Sequence, residues 1–278
     1  MPFIKRILEK VSLMLNITLL LSIIIFSILP LIFLLFASFI PNNLLDNGLK
    51  ITDLKYFTFA NYKSNFISNE FQRPLFNTIF ISVLSASFTI ITTSLFCFSI
   101  SRYAKKFSSI INITIITGYL LSPVILVIPY TYFLTKLGIN GTLFGLILSN
   151  SAFCFPFAYY LMYGFVNILP RTYDIAAILD GASDWQLFWY IALPNILPGL
   201  VTVFMFSFIL SWNDIALASV LSDSSSKTLV IWLKEQVLDV EISQYGMYAA
   251  FSNMIAFLVI LIFGYSQSWL IKQLNTHA

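Results

Sequence analysis

Six stretches of this chain carry no charged side chain: Val11 to Leu45, Pro74 to Ser101, Phe107 to Thr135, Leu137 to Pro170, Trp185 to Asn213 and Ile242 to Ile271. Each is 28 to 35 residues long, whereas a helix crosses the hydrocarbon core of a bilayer with about 20 mainly apolar residues. Charged residues make up 10% of the 278 and hydrophobic residues 59%, against about 25% charged in a soluble domain. The solvent for most of the chain is therefore lipid. One span per run gives crossings near 12–40, 75–100, 108–134, 142–166, 195–220 and 247–271, in one membrane domain covering 1–278.

In hydrocarbon every backbone N–H and C=O must be bonded inside the protein, which leaves helix bundles or closed barrels. Barrel strands alternate apolar and polar residues over about ten positions. Leu19 to Phe36 does not alternate, so the expected fold class is an all-α polytopic membrane protein of six transmembrane helices. A net charge of +3 invites a nucleic-acid reading, but the 15 Lys and Arg are scattered between spans and form no stripe. Lys5, Arg6 and Lys10 precede an apolar stretch as in a secretion signal. That stretch is more than twice as long as the roughly 7 to 15 residues of a signal core, so it reads as a retained first helix. Cys97 and Cys154 lie in apolar runs without metal-ligand spacing, which points to packing.

Orientation follows the Lys and Arg beside the spans. Three basic residues precede the first span, and Arg102, Lys105 and Lys106 crowd the tight loop after the second. Both features favour cytoplasmic N- and C-termini. No low-complexity linker or short-period repeat divides the chain. Pro30, Pro123, Pro129 and Pro156 fall inside spans and are expected to kink or unwind them.

Much catalytic chemistry is excluded. The single histidine, His277, stands at the end of the sequence, so HExxH and histidine relays are ruled out. No GxxxxGK[ST] phosphate loop is present. No paired carboxylates or metal clusters lie within the spans, which argues against an intramembrane enzyme. Asp214, in Ser211-Trp212-Asn213-Asp214, is the one ionisable group near membrane depth. It either faces a watery cavity or ends a helix at headgroup level, where Trp212 is also at home.

The segment 167–194, between spans four and five, is the most informative. Helix formers dominate 173–179, and Asp180-Gly181 then supplies a break, since Gly accepts the conformation that ends a helix. Ser183 with Gln186 is a capping-box pattern that opens a second helix running to Pro194. Helix, elbow and helix result. Small Ala176 and Ala177 allow close approach, while Ile175, Ile178 and Leu179 offer apolar area. Such a surface either lies on the membrane or its own bundle, or docks a partner.

The spacing Ala176-Ala177, three residues, Gly181, nine residues, Ile191-x-Leu193-Pro194 resembles the EAA loop of ABC importer permeases. Pro123, Pro129, Leu137-Gly138, Asn140, Thr142, Pro156, Ile168-Leu169-Pro170, Asp180-Gly181-Ala182-Ser183 and Trp212-Asn213-Asp214 are similar to the carbohydrate-importing, maltose-type branch. The resemblance covers 74–214 well; 1–73 and 223–278 agree in topology only. It implies a type I permease fold and a non-catalytic subunit of the bacterial inner membrane. It also implies a second homologous permease subunit, two cytoplasmic ATPase subunits that bind ATP and Mg, and an extracytoplasmic solute-binding protein. In that family the EAA helix is seated in an ATPase cleft and rocks the attached spans as the ATPases close on ATP. Arg171, Asp174, Ile175, Ala176, Ala177, Leu179, Asp180 and Gly181 are the docking and coupling residues it implies.

One departure stands out. The family's first EAA position is usually Glu, and here it is Ile175, with the nearest carboxylate one residue earlier at Asp174, about 100° round a helix. Either Asp174 rotates into the polar contact, or this interface is more apolar and the other permease chain carries the charge. A sugar path needs amides, hydroxyls and rings. Asn77, Tyr119, Tyr130, Asn150, Asn213 and Asp214 supply these types near membrane depth, although interhelical bonding is the commoner fate of each. A disaccharide, a longer oligosaccharide and glycerol-phosphate all fit. A stand-alone channel or secondary carrier is the alternative, and it has no use for an ATPase seat.

Overall fold

The computed structural model describes residues 2–41, 56–67, 69–238 and 245–276; His277 lies outside them. The regular elements among the described residues are helices, and they run in order α1 (Pro2–Ser38), α2 (Ala60–Ile67), α3 (Asn69–Arg102), α4 (Ser108–Tyr119) and α5 (Pro123–Lys136). There follow α6 (Leu143–Ile168), α7 (Arg171–Leu179), α8 (Asp184–Asn195) and α9 (Leu197–Trp212). The chain ends with α10 (Ala218–Leu221), α11 (Leu229–Leu238) and α12 (Tyr245–Thr276).

Four helical stretches are each long and apolar enough to cross a bilayer: Leu13–Ser38, Phe71–Arg102, Leu143–Ile168 and Tyr245–Ser268. Two bent pairs are further candidates, Lys105–Tyr119 with Pro123–Lys136 at 97° and Asp184–Asn195 with Leu197–Trp212 at 76°. Counting each pair as one span gives six.

The bends have local causes. Ser122 is extended (φ −61°, ψ 136°) because the Pro123 ring disfavours a helical residue before it. At the second bend Ile196 (φ −93°, ψ 8°) sits between Pro194 and Pro198, neither of which has an N–H to carry the ladder through. The turn before it is widened, since Leu187–Ala192 is π-helical. Pro30, Pro129 and Pro156, also expected to unwind spans, instead lie inside unbroken helices α1, α5 and α6. The run 195–220 resolves into α9 and α10 with a turn between them.

The chain forms two compact units. The first takes its described residues from Met1–Ser68 and Asp239–Ile260. Here the end of α1 is tied to α2. Asn61 Nδ2 donates to the carbonyls of Ser38 and Ile40, both at 2.9 Å, and the hydroxyls of Ser38 and Tyr62 are 2.7 Å apart. Phe39 packs against Phe57, Phe59 and Tyr62. Asn253 Nδ2 in α12 donates to the Leu34 carbonyl at 3.0 Å. The apolar side chains of α1 from Leu13 to Leu35 are nonetheless exposed on every side, the pattern of a helix that relies on lipid or another chain for cover.

The second unit comprises Asn69–Leu238 and Leu261–Ala278. Its centre is the packing of α3 against α6 and α9. One face of α3 carries small residues, and Ser82, Ser85, Ala86, Thr89, Thr93 and Cys97 are all fully buried. Small side chains let helix backbones approach, and in lipid it is this packing, with interhelical hydrogen bonds, that holds a bundle. Ser85 Oγ donates to the Ile147 carbonyl and Ser151 Oγ to the Ser85 carbonyl, at 3.2 and 3.3 Å. Gly199 of α9 is close to Phe165 of α6, where an added Cβ would stand 2.5 Å from the ring. One apolar cluster joins Ile81, Leu146, Ile147, Leu217 and Leu221; another joins Cys97, Tyr159, Met162, Val166 and Val203. Both cysteines are free and buried.

Candidate functional site

The segment between α6 and α9 forms the elbow expected from its sequence. Helix α7 ends at Asp180, and Gly181 follows with φ +84°. The Ala182 N–H bonds the Ala177 carbonyl at 2.9 Å and the Gly181 N–H bonds the Ile178 carbonyl at 3.0 Å. This pair of bonds is the Schellman closure, which needs a left-handed residue at the position Gly181 holds. Helix α8 then starts with the full capping box: the Ser183 N–H donates to Gln186 Oε1 at 2.8 Å and the Gln186 N–H to Ser183 Oγ at 3.4 Å. Both helix ends at the corner are thus capped from within the chain.

Helix α7 has two faces. Asp174 and Ala177, three residues apart, are buried. Ala177 packs in a cluster with Phe98 of α3 and with Leu187, Phe188 and Ala192 of α8. Ile175 and Leu179 lie opposite this pair, Tyr173 and Ile178 flank it on either side, and all four are more than half exposed. Leu179 is the extreme, at 81%. Arg171, Ala176 and Asp180 are also exposed. A cleft of about 350 Å³ runs beside α7, lined by Tyr173, Ala176, Ala177, Asp180, Tyr190, Ile191 and Asn195. Of the residues grouped by sequence as partner-facing, Asp174 and Ala177 are therefore turned into the chain's own packing, while the apolar ones are turned out.

Asp174 faces Arg102. Asp174 Oδ2 is 2.7 Å from Arg102 Nε, with side-chain exposures of 12% and 7%. The contact is an ion pair rather than a well-directed N–H···O bond, because Arg102 Nε has no acceptor in line. Arg102 also donates from a terminal nitrogen to the Leu169 carbonyl at 3.5 Å, a long bond, and Arg171 donates to the Ser101 carbonyl at 2.9 Å. Next in the chain, Tyr103 lies near the Asp184 carboxylate at the start of α8. Desolvation of the hydroxyl, then the nearby Asp184 carboxylate, push the Tyr103 phenol up to about 12. This cluster was not found by sequence reasoning. Its one trace was the crowding of basic residues after the second span, which was read for orientation alone.

The six residues considered for a solute path are dispersed. Asn77 is buried, and its Nδ2 donates to the carbonyls of Ser225 and Lys227 at 3.1 and 3.0 Å, so it straps the segment before α11 to α3. Thr78 completes the strap by accepting from the Leu229 N–H at 2.7 Å. Asn150 is buried and donates to Leu146 of its own helix at 3.1 Å. Asp214 Oδ1 accepts from the Leu217 N–H at 3.0 Å and Oδ2 from the Ala218 N–H at 3.1 Å, which makes it the cap of α10. Asn213 is exposed and bonds back to Ile209 at 3.1 Å. Tyr119 is exposed beside Phe157 at 5.4 Å. Tyr130 alone of the six lines a cleft, about 470 Å³ between α3, α5 and α6, with Phe88, Thr92, Phe133, Ser149 and Phe155 among its walls.

Among the described residues, apolar helices long enough to span a bilayer and an exposed elbow between two of them define the class: a multi-pass helical membrane protein. The model of the family described as binding-protein-dependent transport system inner membrane component matches residues 91–274, and the chain belongs to that family. The chain is 31% identical over 158 residues to the inner membrane ABC transporter permease protein YcjP of Escherichia coli K12, an alignment covering 56% of each. It is 25% identical over 220 residues to the diacetylchitobiose uptake system permease protein NgcG of Streptomyces coelicolor, covering 77% of this chain and 72% of that one. The fold matches a chain in the crystal structure of a bacterial ABC transporter involved in the import of the acidic polysaccharide alginate. There the TM-score is 0.82 and the identity 20%, over 94% of this chain and 97% of that chain.

Proposed function

We propose that this chain is one of two permease subunits of an ATP-driven importer for a di- or oligosaccharide. It lies in the bacterial inner membrane with both termini in the cytoplasm, and the two permease chains enclose the solute path between them. Two cytoplasmic ATPase subunits bind ATP and Mg and do the hydrolysis, and an extracytoplasmic binding protein delivers the solute. This chain itself catalyses nothing. The observation that carries the reading is the exposed apolar surface of α7, Ile175 and Leu179 foremost, next to an elbow capped from within the chain. An exposed apolar face of this kind is the mark of a docking surface, and α7 is the seat for one ATPase subunit.

Inward orientation of Asp174 supports the more apolar of the two interfaces considered, with Tyr173, Ile175, Ile178 and Leu179 as the contact. The Streptomyces relative's diacetylchitobiose supports a carbohydrate as solute. The test is uptake of labelled disaccharides, oligosaccharides and glycerol-phosphate by the complex co-purified with this chain and reconstituted in liposomes. Uptake of a sugar only with ATP is expected. ATP-independent uptake by the chain alone would replace the reading with a stand-alone carrier.

A further inference from the structure

We infer that the cytoplasmic end of α3 is a clamp that makes α3 and the elbow move as one body, with Arg102 the positioning residue that holds α7 through Asp174. The inference rests on the reading of α7 as the ATPase seat and deepens it. The ties reach separate elements. Arg102 meets Asp174 in the first turn of α7 and the Leu169 carbonyl at the end of α6. Ser101 receives Arg171 of α7 at 2.9 Å. Beneath them, Phe98 of α3 packs on Phe188 of α8 with ring centroids 5.3 Å apart and shares a cluster with Ala177.

A helix fastened only by its two flanking turns can swivel when pushed. One tied at its first turn, along its buried face and through the packing of the next helix cannot. The chemistry of the tie favours permanence, because separating two buried opposite charges leaves each of them uncompensated. This also accounts for the carboxylate at 174 rather than 175. On this chain the acid is committed inward to the clamp, and the outward face of α7 is left to apolar contacts.

The test uses the whole complex in lipid nanodiscs, with Cys97 and Cys154 replaced by Ser and spin labels on Ser99→Cys and Thr172→Cys, both exposed positions. With Arg102 and Asp174 intact, one narrow label distance is expected, the same without nucleotide and with ATP. Asp174→Asn and Arg102→Gln are each expected to broaden it and to lower binding-protein-stimulated ATP turnover about five-fold or more. The double variant is expected to be no worse than either single one, and Arg102→Lys, which keeps the charge, to retain most of the coupling. A distance that shifts with ATP in the unaltered protein, or singles that keep a narrow distance and full stimulation, would overturn the clamp, as would losses that simply add. Ile178→Asp tests the seat separately. Should the ATPase still co-purify undiminished with that variant, the docking reading fails while the label distances continue to report on the clamp.

Discussion

Gly181 shows how much a single backbone conformation decides here. A Cβ at this position would meet nothing within 4 Å, so the constraint is conformational rather than steric: φ is +84°. A β-branched residue held there costs about 1–3 kcal/mol. Gly181→Val is therefore expected to disturb the elbow with little effect on the bundle, leaving ATP hydrolysis but losing uptake, as measured by the two rates on one preparation. Unchanged uptake with normal assembly would count against the elbow as the transmitter. Asp214 gives a complementary case. Because both of its oxygens cap α10, Asp214→Asn, which keeps an acceptor, should leave uptake near normal, whereas Asp214→Ala should lower stability by about 1 kcal/mol. A thermal melt of the two variants separates them.

Elements differ in how far the sequence betrays them. The helix–elbow–helix was legible because its determinants are local: a left-handed Gly after α7 and a Ser-x-x-Gln box before α8. Which side of α7 faces out was not, since that depends on Phe98 and Arg102, some 70 residues away in the chain. Separations of 148 and 150 residues likewise hid the fate of Asn77, whose amide is used by Ser225 and Lys227. Prolines mislead for a related reason: Pro123 starts α5 at a real break, while Pro129 and Pro156 are carried within helices whose packing outweighs one lost bond. At this scale, Leu179→Asp on the outward face should weaken co-purification of the ATPase without altering the melting of the permease. Gly145→Ala, by contrast, would set a Cβ 2.4 Å from the Ile139 carbonyl oxygen, which is backbone and cannot yield cheaply. It is expected to reduce the amount of folded protein recovered in detergent, read by size-exclusion profile.

For the molecule as a whole, six charge-free runs sufficed to read an all-helical membrane fold, because a spanning helix answers only to length and apolarity. The bends at 97° and 76° lay beyond that rule, as they arise from single residues such as Ser122 and Ile196. The second bend has a mechanical consequence. Helix α8 leaves the axis of α9 at close to a right angle, and its twelve residues make an arm of about 18 Å at 1.5 Å per residue. Such a crank converts a modest swing into travel: each 10° of tilt in the crossing sweeps the far end of the arm by about 3 Å. On the proposed reading, a small sideways stroke applied at the corner near Ser183 is returned as rotation of α9, with no need for any individual helix to stretch or unwind.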